Sequence, residues 1–302
     1  MTHRTTRTAR FVPTALALAA ALLAGAAHAE GHYVTGVEGL QGSSVPPAGN
    51  YYLGYLVHYD INSFRQPDSD KNLPGSNTGS VTALVNRFVK VTDTKVLGAD
   101  YGFEAIIPVI KTSLDIKAAG IDDSDSGVGD VYVGPLVLGW HGAQWDAVAA
   151  AGMWLDTAST SGPAAVGKGY KSTMLTGGVT YYFDPAKSIS GSALFRFERH
   201  GKKDNGVRPG NQLSLEWGVG KNLGAYQLGV VGYSQWQLSE DSGAKAANGK
   251  SSRHALGAEV VYPVPGAGMF LKGAVYKEYS VEGGSGAEPK GNMYRATLVK
   301  AF

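Results

Sequence analysis

The sequence predicts an all-β fold: a transmembrane antiparallel β-barrel of about twelve strands, with an N-terminal segment placed to plug the lumen. Three observations carry this. Long runs alternate apolar and polar residues, short and long connections alternate between them, and the chain pairs an export signal with a C-terminal aromatic, Phe302. A closed barrel is the β-architecture that sits in lipid with every backbone group paired.

The first element is a secretory signal over residues 1–29. Arg4, Arg7 and Arg10 give a positive start, Phe11 to Leu23 a short apolar core, and Ala27-His28-Ala29 a small-x-small cleavage site. The mature chain is expected to begin near Glu30. The apolar run is too short and too Ala-rich for a spanning helix, and nothing after it approaches the roughly 20 apolar residues such a helix needs. The chain has no Cys, so neither a lipoprotein anchor nor a disulfide framework is available.

Residues 30–50 form the second element. They do not alternate, and they carry Gly36, Gly39, Gly42, Pro46, Pro47 and Gly49. Such a segment either trails in the periplasm or folds into the barrel. A twelve-strand lumen lies between small barrels filled by their own side chains and wide ones that hold water, so it has room for the segment. The lumenal placement is the expectation here, with Tyr33, Pro46 and Pro47 as its candidate plug residues.

The barrel is expected over residues 51–302. Tyr51, Leu53, Tyr55, Val57 and Tyr59 share one face of the first strand, with His58 and Asp60 on the other. A polar loop over 61–79 leads to a strand over about 80–91 and a tight turn at Thr92-Asp93-Thr94. The third strand alternates longest: Leu97, Ala99, Tyr101, Phe103, Ala105, Ile107 and Val109 face one way, and Gly98, Asp100, Gly102 and Glu104 the other. A lipid-crossing strand needs about 9–11 residues, against about 5–6 in ordinary sheets.

Further strands are expected at about 129–140, 144–156, 171–183, 188–199, 211–220, 225–238, 253–262, 269–280 and 292–302. In the last, Tyr294, Ala296, Leu298 and Phe302 share one parity and Arg295, Thr297 and Val299 the other. Short turns fall at 141–143, 184–187, 221–224 and 263–268. Long polar loops fall at 117–128, 157–170, 200–210, 239–252 and 281–291. Short turns at one end and long loops at the other is the outer-membrane pattern. Two strands fit less well. Asn86 and Arg87 are adjacent, so one should face lipid unless a bulge intervenes, and Pro135 removes a ladder hydrogen bond and predicts a bulge or distortion. Aromatics such as Trp140, Trp145, Tyr181, Phe183, Trp236 and Tyr262 gather near strand ends, where interfacial girdles form.

The polar parity of these strands places Asp100, Glu104, Arg196, Glu198, Glu216, Arg253, Glu259 and Arg295 on the lumen face. An Arg facing lipid at mid-depth would cost about 2–4 kcal/mol. These residues read either as ion pairs bracing the barrel or as a polar constriction on a substrate path, and their mixed signs argue against strong ion selectivity.

Overall charge excludes a nucleic-acid partner. The chain has 27 Lys+Arg and 25 Asp+Glu, and without the three signal arginines 24 face 25, close to −1. Gly at 42 residues is roughly twice the usual share of about 7%, which favours strands and loops over helices. No catalytic group, cofactor or metal is expected. Asp122, Asp123, Asp125 and Asp130 lack EF-hand spacing and read as a solvated outer loop. His32, His58, His141, His200 and His254 fall in different segments, outside any metal or nucleophile motif, and His254 beside Ser251 and Ser252 makes no triad.

Several stretches resemble one known family. Tyr33-Val34-x-Gly36, Val45-Pro46-Pro47-x-Gly49-x-Tyr51-Tyr52, Ala83-Leu84-Val85-Asn86-Arg87-Phe88, Gly98-Ala99-Asp100-Tyr101-Gly102 and Gly127-Val128-Gly129-Asp130 with Gly139-Trp140 look like the family named for the MetA pathway of phenol degradation. The likeness covers essentially the whole mature chain. It implies an outer-membrane channel, similar in outline to transporters of hydrophobic compounds, and it implies uptake without identifying the cargo. The expected partners are outer-membrane lipid and lipopolysaccharide, the barrel-assembly machinery through Phe302, and a small apolar or aromatic cargo, with the protein a monomer. An aqueous porin and a non-transporting structural or enzymatic barrel are the competing readings.

Overall fold

The computed structural model describes residues 31–302, so the predicted signal, its cleavage at Ala29 and the start at Glu30 lie outside the described residues. Thirteen strands follow in one antiparallel sheet: β1 Gly49–Arg65, β2 Asn77–Val96, β3 Ala99–Ile116, β4 Ile121–Val128, β5 Tyr132–His141, β6 Trp145–Trp154, β7 Ser172–Tyr182, β8 Ile189–His200, β9 Gln212–Asn222, β10 Gln227–Gln237, β11 Ser252–Val264, β12 Met269–Glu282 and β13 Glu288–Ala301. Each strand pairs with its chain neighbours except β4 and β5, which both pair with β3; β1 pairs with β13, and β2 with β3 closes the ring.

The wall is twelve staves. β4 and β5 are successive pieces of one stave, both lying along β3: β4 pairs with its second half, from Val109↔Val128 to Ile116↔Ile121, and β5 with its first, from Asp100↔Gly139 to Ile106↔Tyr132. The stave breaks over Gly129-Asp130-Val131, where the Gly129 N–H still reaches the Pro108 carbonyl at 2.9 Å. The stretch 117–128, expected as an outer loop, is therefore a short 3₁₀ turn at Lys117–Ala119 followed by β4. Asp122, Asp123 and Asp125 belong to that strand. Its polar residues on both faces follow from a hairpin that extends beyond the lipid zone.

The turn expected at 92–94 moves as well. β2 continues through a register shift between Val91 and Lys95, and the reversal comes at Leu97 (φ 51°) and Gly98 (φ 78°). Two positive φ angles in succession make the mirror-image turn that matches strand twist. Pro135 sits at the expected distortion, a shift of register between Val133 and Leu136.

Side-chain parity sets the two faces of the wall. Phe103, Ile107 and Val109 on β3, Val230 on β10, Leu256 on β11 and Val275 on β12 are exposed outward, an apolar belt. Asn86 shares the outward parity of Leu84 and Phe88. No bulge is needed there, because Tyr52 donates its hydroxyl to Asn86 Oδ1 (2.8 Å) and the Asn86 amide donates to the Ile107 carbonyl (3.2 Å). On β1 the aromatic parity points inward: Tyr55 and Val57 are buried while Leu56 is exposed.

Residues 31–45 run through the ring. Gly31 lies against Glu198 and Gln212 towards the long-loop end, and Val45 packs against Val91, Val137 and Gly139 towards the short-turn end. Between them Leu40 is 2% exposed, seated against Gly218 and Gly220 of β9 and Gly229 of β10. Glycine is required there because a Cβ at Gly220 would stand 2.9 Å from both Leu40 methyls. At the long-loop end Ile61, Phe64, Leu73, Leu114, Ile116 and Ile121 form a separate apolar cluster.

Candidate functional site

Glu38 is the hub of the lumen. Its Oε1 accepts from Arg87 Nη1 of β2 (3.0 Å) and Arg196 Nη2 of β8 (2.7 Å). Its N–H donates to Glu216 Oε2 of β9 (3.0 Å), and its carbonyl accepts from Lys272 Nζ of β12 (2.9 Å). One residue thus ties the segment to four staves around the ring. Burial pushes the Glu38 carboxyl up, but Arg87 and Arg196 outweigh it and hold the value at about 2. Opposite charge within a few ångströms favours the ionised form more than desolvation opposes it.

Neighbouring residues extend this anchor. Arg87 also pairs with Glu104 (2.6 Å). The Tyr33 hydroxyl donates to Glu216, and its ring lies 4.1 Å from the Arg196 guanidinium carbon. Arg295 donates to the Gly36 carbonyl (2.8 Å) and to Glu259 (2.5 Å), which also pairs with Lys272 (3.1 Å) and accepts the Leu40 N–H (3.3 Å). Glu198 accepts the N–H groups of His32 and Tyr33, each at 3.2 Å. A second network stands nearer the long-loop end, where Arg253 pairs with Glu278 (3.2 Å) and Glu288 (2.6 Å). The hydroxyls of Tyr59 (2.7 Å) and Tyr233 (3.0 Å) donate to the same Glu278.

Seven of the eight residues expected to face the lumen, Glu104, Arg196, Glu198, Glu216, Arg253, Glu259 and Arg295, are buried inside the ring. Six of them meet the N-terminal segment or Arg87, and Arg253 belongs to the second network. Asp100 does not join them: it bonds Lys95 and stands 3.5 Å from His141 near the short turns. Of the candidate plug residues, Tyr33 is deep in the lumen, while the Pro47 carbonyl accepts from Tyr51 (2.8 Å) where the segment enters β1, with Pro46 beside it. The anchors Glu38, Lys272, Glu278 and Glu288 escaped the sequence reading. Glu278 shares the parity of the buried Ala274 and Tyr276, a signal that was present; Glu38 lies in a segment with no period to reveal its face.

Between the segment and the wall of β1–β3 is a cavity of about 230 Å³. Val57, Ile61, Val81, Ala83, Ile106 and Pro108 line its β1–β3 side together with Arg87 and Glu104, and Glu38, Arg196, Arg253 and Glu278 reach it from the segment and the opposite wall. The inward aromatic and aliphatic parity of β1, continued by Ala83 and Val85 of β2, makes this side of the lumen mainly apolar, with the Arg87–Glu104 pair its charged group, while β8–β13 carry most of the other charges.

A family model described as "Putative MetA-pathway of phenol degradation" matches residues 61–296. The chain belongs to this family. Among solved structures, the COG4313 outer membrane channel from Pseudomonas putida F1 is similar over 90% of this chain and 100% of that one, with TM-score 0.75 at 12% identity. The transport unit of the autotransporter AIDA-I from Escherichia coli is similar over 97% of this chain and 100% of that one, with TM-score 0.50 at 9% identity. At these identities the likeness is one of fold. A comparison with curated proteins finds no match. Closed ring, apolar belt and family together place the protein in the lipid of a bacterial outer membrane.

Proposed function

We propose that the protein is a channel for small apolar compounds of about one aromatic ring. The observation that carries this is the 230 Å³ cavity with its apolar β1–β3 wall. A dry cavity of about 150 Å³ holds benzene, so this one has room for a substituted ring. Arg87 and Glu104 in its lining offer partners to a hydroxyl or carboxylate substituent. The family's association with phenol degradation and the fold shared with the COG4313 outer membrane channel support the same reading.

In this reading residues 30–50 are the plug, and cargo moves between the plug and the β1–β3 wall. Glu104, Arg196, Glu198, Glu216, Glu259 and Arg295 hold the plug in place, and Arg253 braces the wall above it. Asp100 would meet cargo only at the short-turn exit. The transport is passive, with no catalytic group and no cofactor, and the barrel works as a monomer in contact with lipopolysaccharide. Phe302, whose N–H donates to the Asn50 carbonyl (3.0 Å) while its ring is exposed, is available to the barrel-assembly machinery.

The test is uptake of a labelled single-ring compound by cells carrying the wild-type protein or Ala83→Trp, which fills the cavity. Slower uptake by the variant at equal outer-membrane abundance supports the reading. Equal rates overturn it.

A further inference from the structure

Towards the long-loop end the segment and the wall share a chain of polar side chains that the channel reading does not use. His32 Nε2 lies 3.2 Å from Asp130 Oδ2, and His32 Nδ1 is 2.9 Å from Ser172 Oγ. Ser172 Oγ is in turn 2.7 Å from His200 Nδ1. A hydroxyl carries one proton and can donate to only one of the two rings. With a carboxylate facing Nε2, His32 holds its own proton there, and its Nδ1 lone pair, faced by the serine proton while the site is empty, is the one an ion would take in that proton's place. Ser172 then accepts from His200 Nδ1–H, and His200 Nε2 is left as a bare lone pair.

Among the described residues nothing donates to that nitrogen, although His200 is 1% exposed. Buried acceptors without a donor are uncommon, and the lone pair of a neutral imidazole is the usual ligand of a transition metal. Glu198 precedes His200 by two residues on β8, so both side chains stand on the lumen face. One ligand atom from each of His32, Glu198 and His200 lies within 4.8 Å of the others, and all three residues are buried. The Glu198 carboxylate already accepts two N–H groups and keeps lone pairs for a further partner.

We propose that His32, Glu198 and His200 bind one divalent transition-metal ion and so clasp the N-terminal segment to β8. Imidazole with one carboxylate suits zinc, nickel or copper in place of magnesium or calcium. The surroundings match what such a site needs. Asp130 orients His32 and Ser172 orients His200, as carboxylates and hydroxyls behind metal-bound histidines do. The ion joins residues 166 positions apart in sequence, one on the segment and two on the wall.

The test is metal content, independent of any transport measurement, so the clasp and the channel stand or fall separately. The folded mature barrel, its state checked by heat-modifiable gel migration, is incubated with Zn²⁺ or Ni²⁺, desalted and assayed by elemental mass spectrometry. We expect one ion per chain, removable by a chelator, with affinity reduced about 100-fold or more in His32→Gln and in His200→Gln. His32 lies outside the strands, so His32→Gln gives the reading even if the β8 variant fails to fold. Wild-type protein that retains no stoichiometric ion overturns the proposal, and so does binding unchanged in His32→Gln.

Discussion

Replacing Glu38 with Gln removes the charge on which two arginines from opposite sides of the ring converge. Arg87 and Arg196 hold the seated carboxyl at about 2, well below its ordinary value of 4.5. At 1.36 kcal/mol per unit the ionised form contributes about 3 kcal/mol to seating. Removing one partner of a buried ion pair costs about 3–5 kcal/mol, which agrees in size. Either figure lowers the seated population by about a hundredfold or more. The sign with pH follows from the depressed value. The contribution is complete above the unseated value near 4.5 and disappears as pH falls towards 2. Planar-bilayer conductance is the assay. Wild-type protein should show few openings at neutral pH and progressively more below about pH 4.5. Glu38→Gln should open frequently at neutral pH and lose most of that acid-dependent rise. A variant as closed as wild type at neutral pH, with the same acid profile, would refute the idea that this carboxylate holds the segment.

Other outcomes follow from the wall. Gly220→Val drives a side chain into the Leu40 seat and should raise conductance at neutral pH without changing heat-modifiable migration. Val275→Arg, on the outward face midway along β12, should destabilise the barrel by about 2–4 kcal/mol in urea-induced unfolding from lipid vesicles. Arg295→Met leaves Glu259 with Lys272 alone in a fully buried setting and should cost about 3–5 kcal/mol in the same assay. Deleting Phe302 should lower the amount of folded protein reaching the outer membrane, read by quantitative blotting of heat-modifiable bands.

The wall was legible because lipid enforces a strict period of two. Tyr294, Ala296 and Leu298 alternate with Arg295 and Thr297, and that rhythm alone separates the two faces. It fails where the rule relaxes. Most of β4 stands beyond the lipid zone, so Asp122 to Ser126 are polar on both faces and look like a loop. Asp100 has lumen parity but sits at a turn, where parity no longer measures depth. The site was less legible than the wall. A ring brings Arg87, Arg196 and Lys272 together from three distant staves, and only a segment without periodicity, through Glu38, reveals why they converge.

Every neighbouring pair of staves except one joins consecutive parts of the chain. The exception is the seam between β1 and β13, which runs from Tyr51↔Ala301 to Arg65↔Glu288. Hairpins can form as the chain emerges, but the seam must wait for the last strand. Closure entropy is therefore concentrated in one late step, and contact order concentrates there too. Joining Phe302 to Gly49 in a chain without the lumenal segment, and opening it at the turn after His141, would convert the seam into a local connection and make β5·β6 the late closure. Folding rate would then report which pairing, and not which residues, limits the formation of the ring.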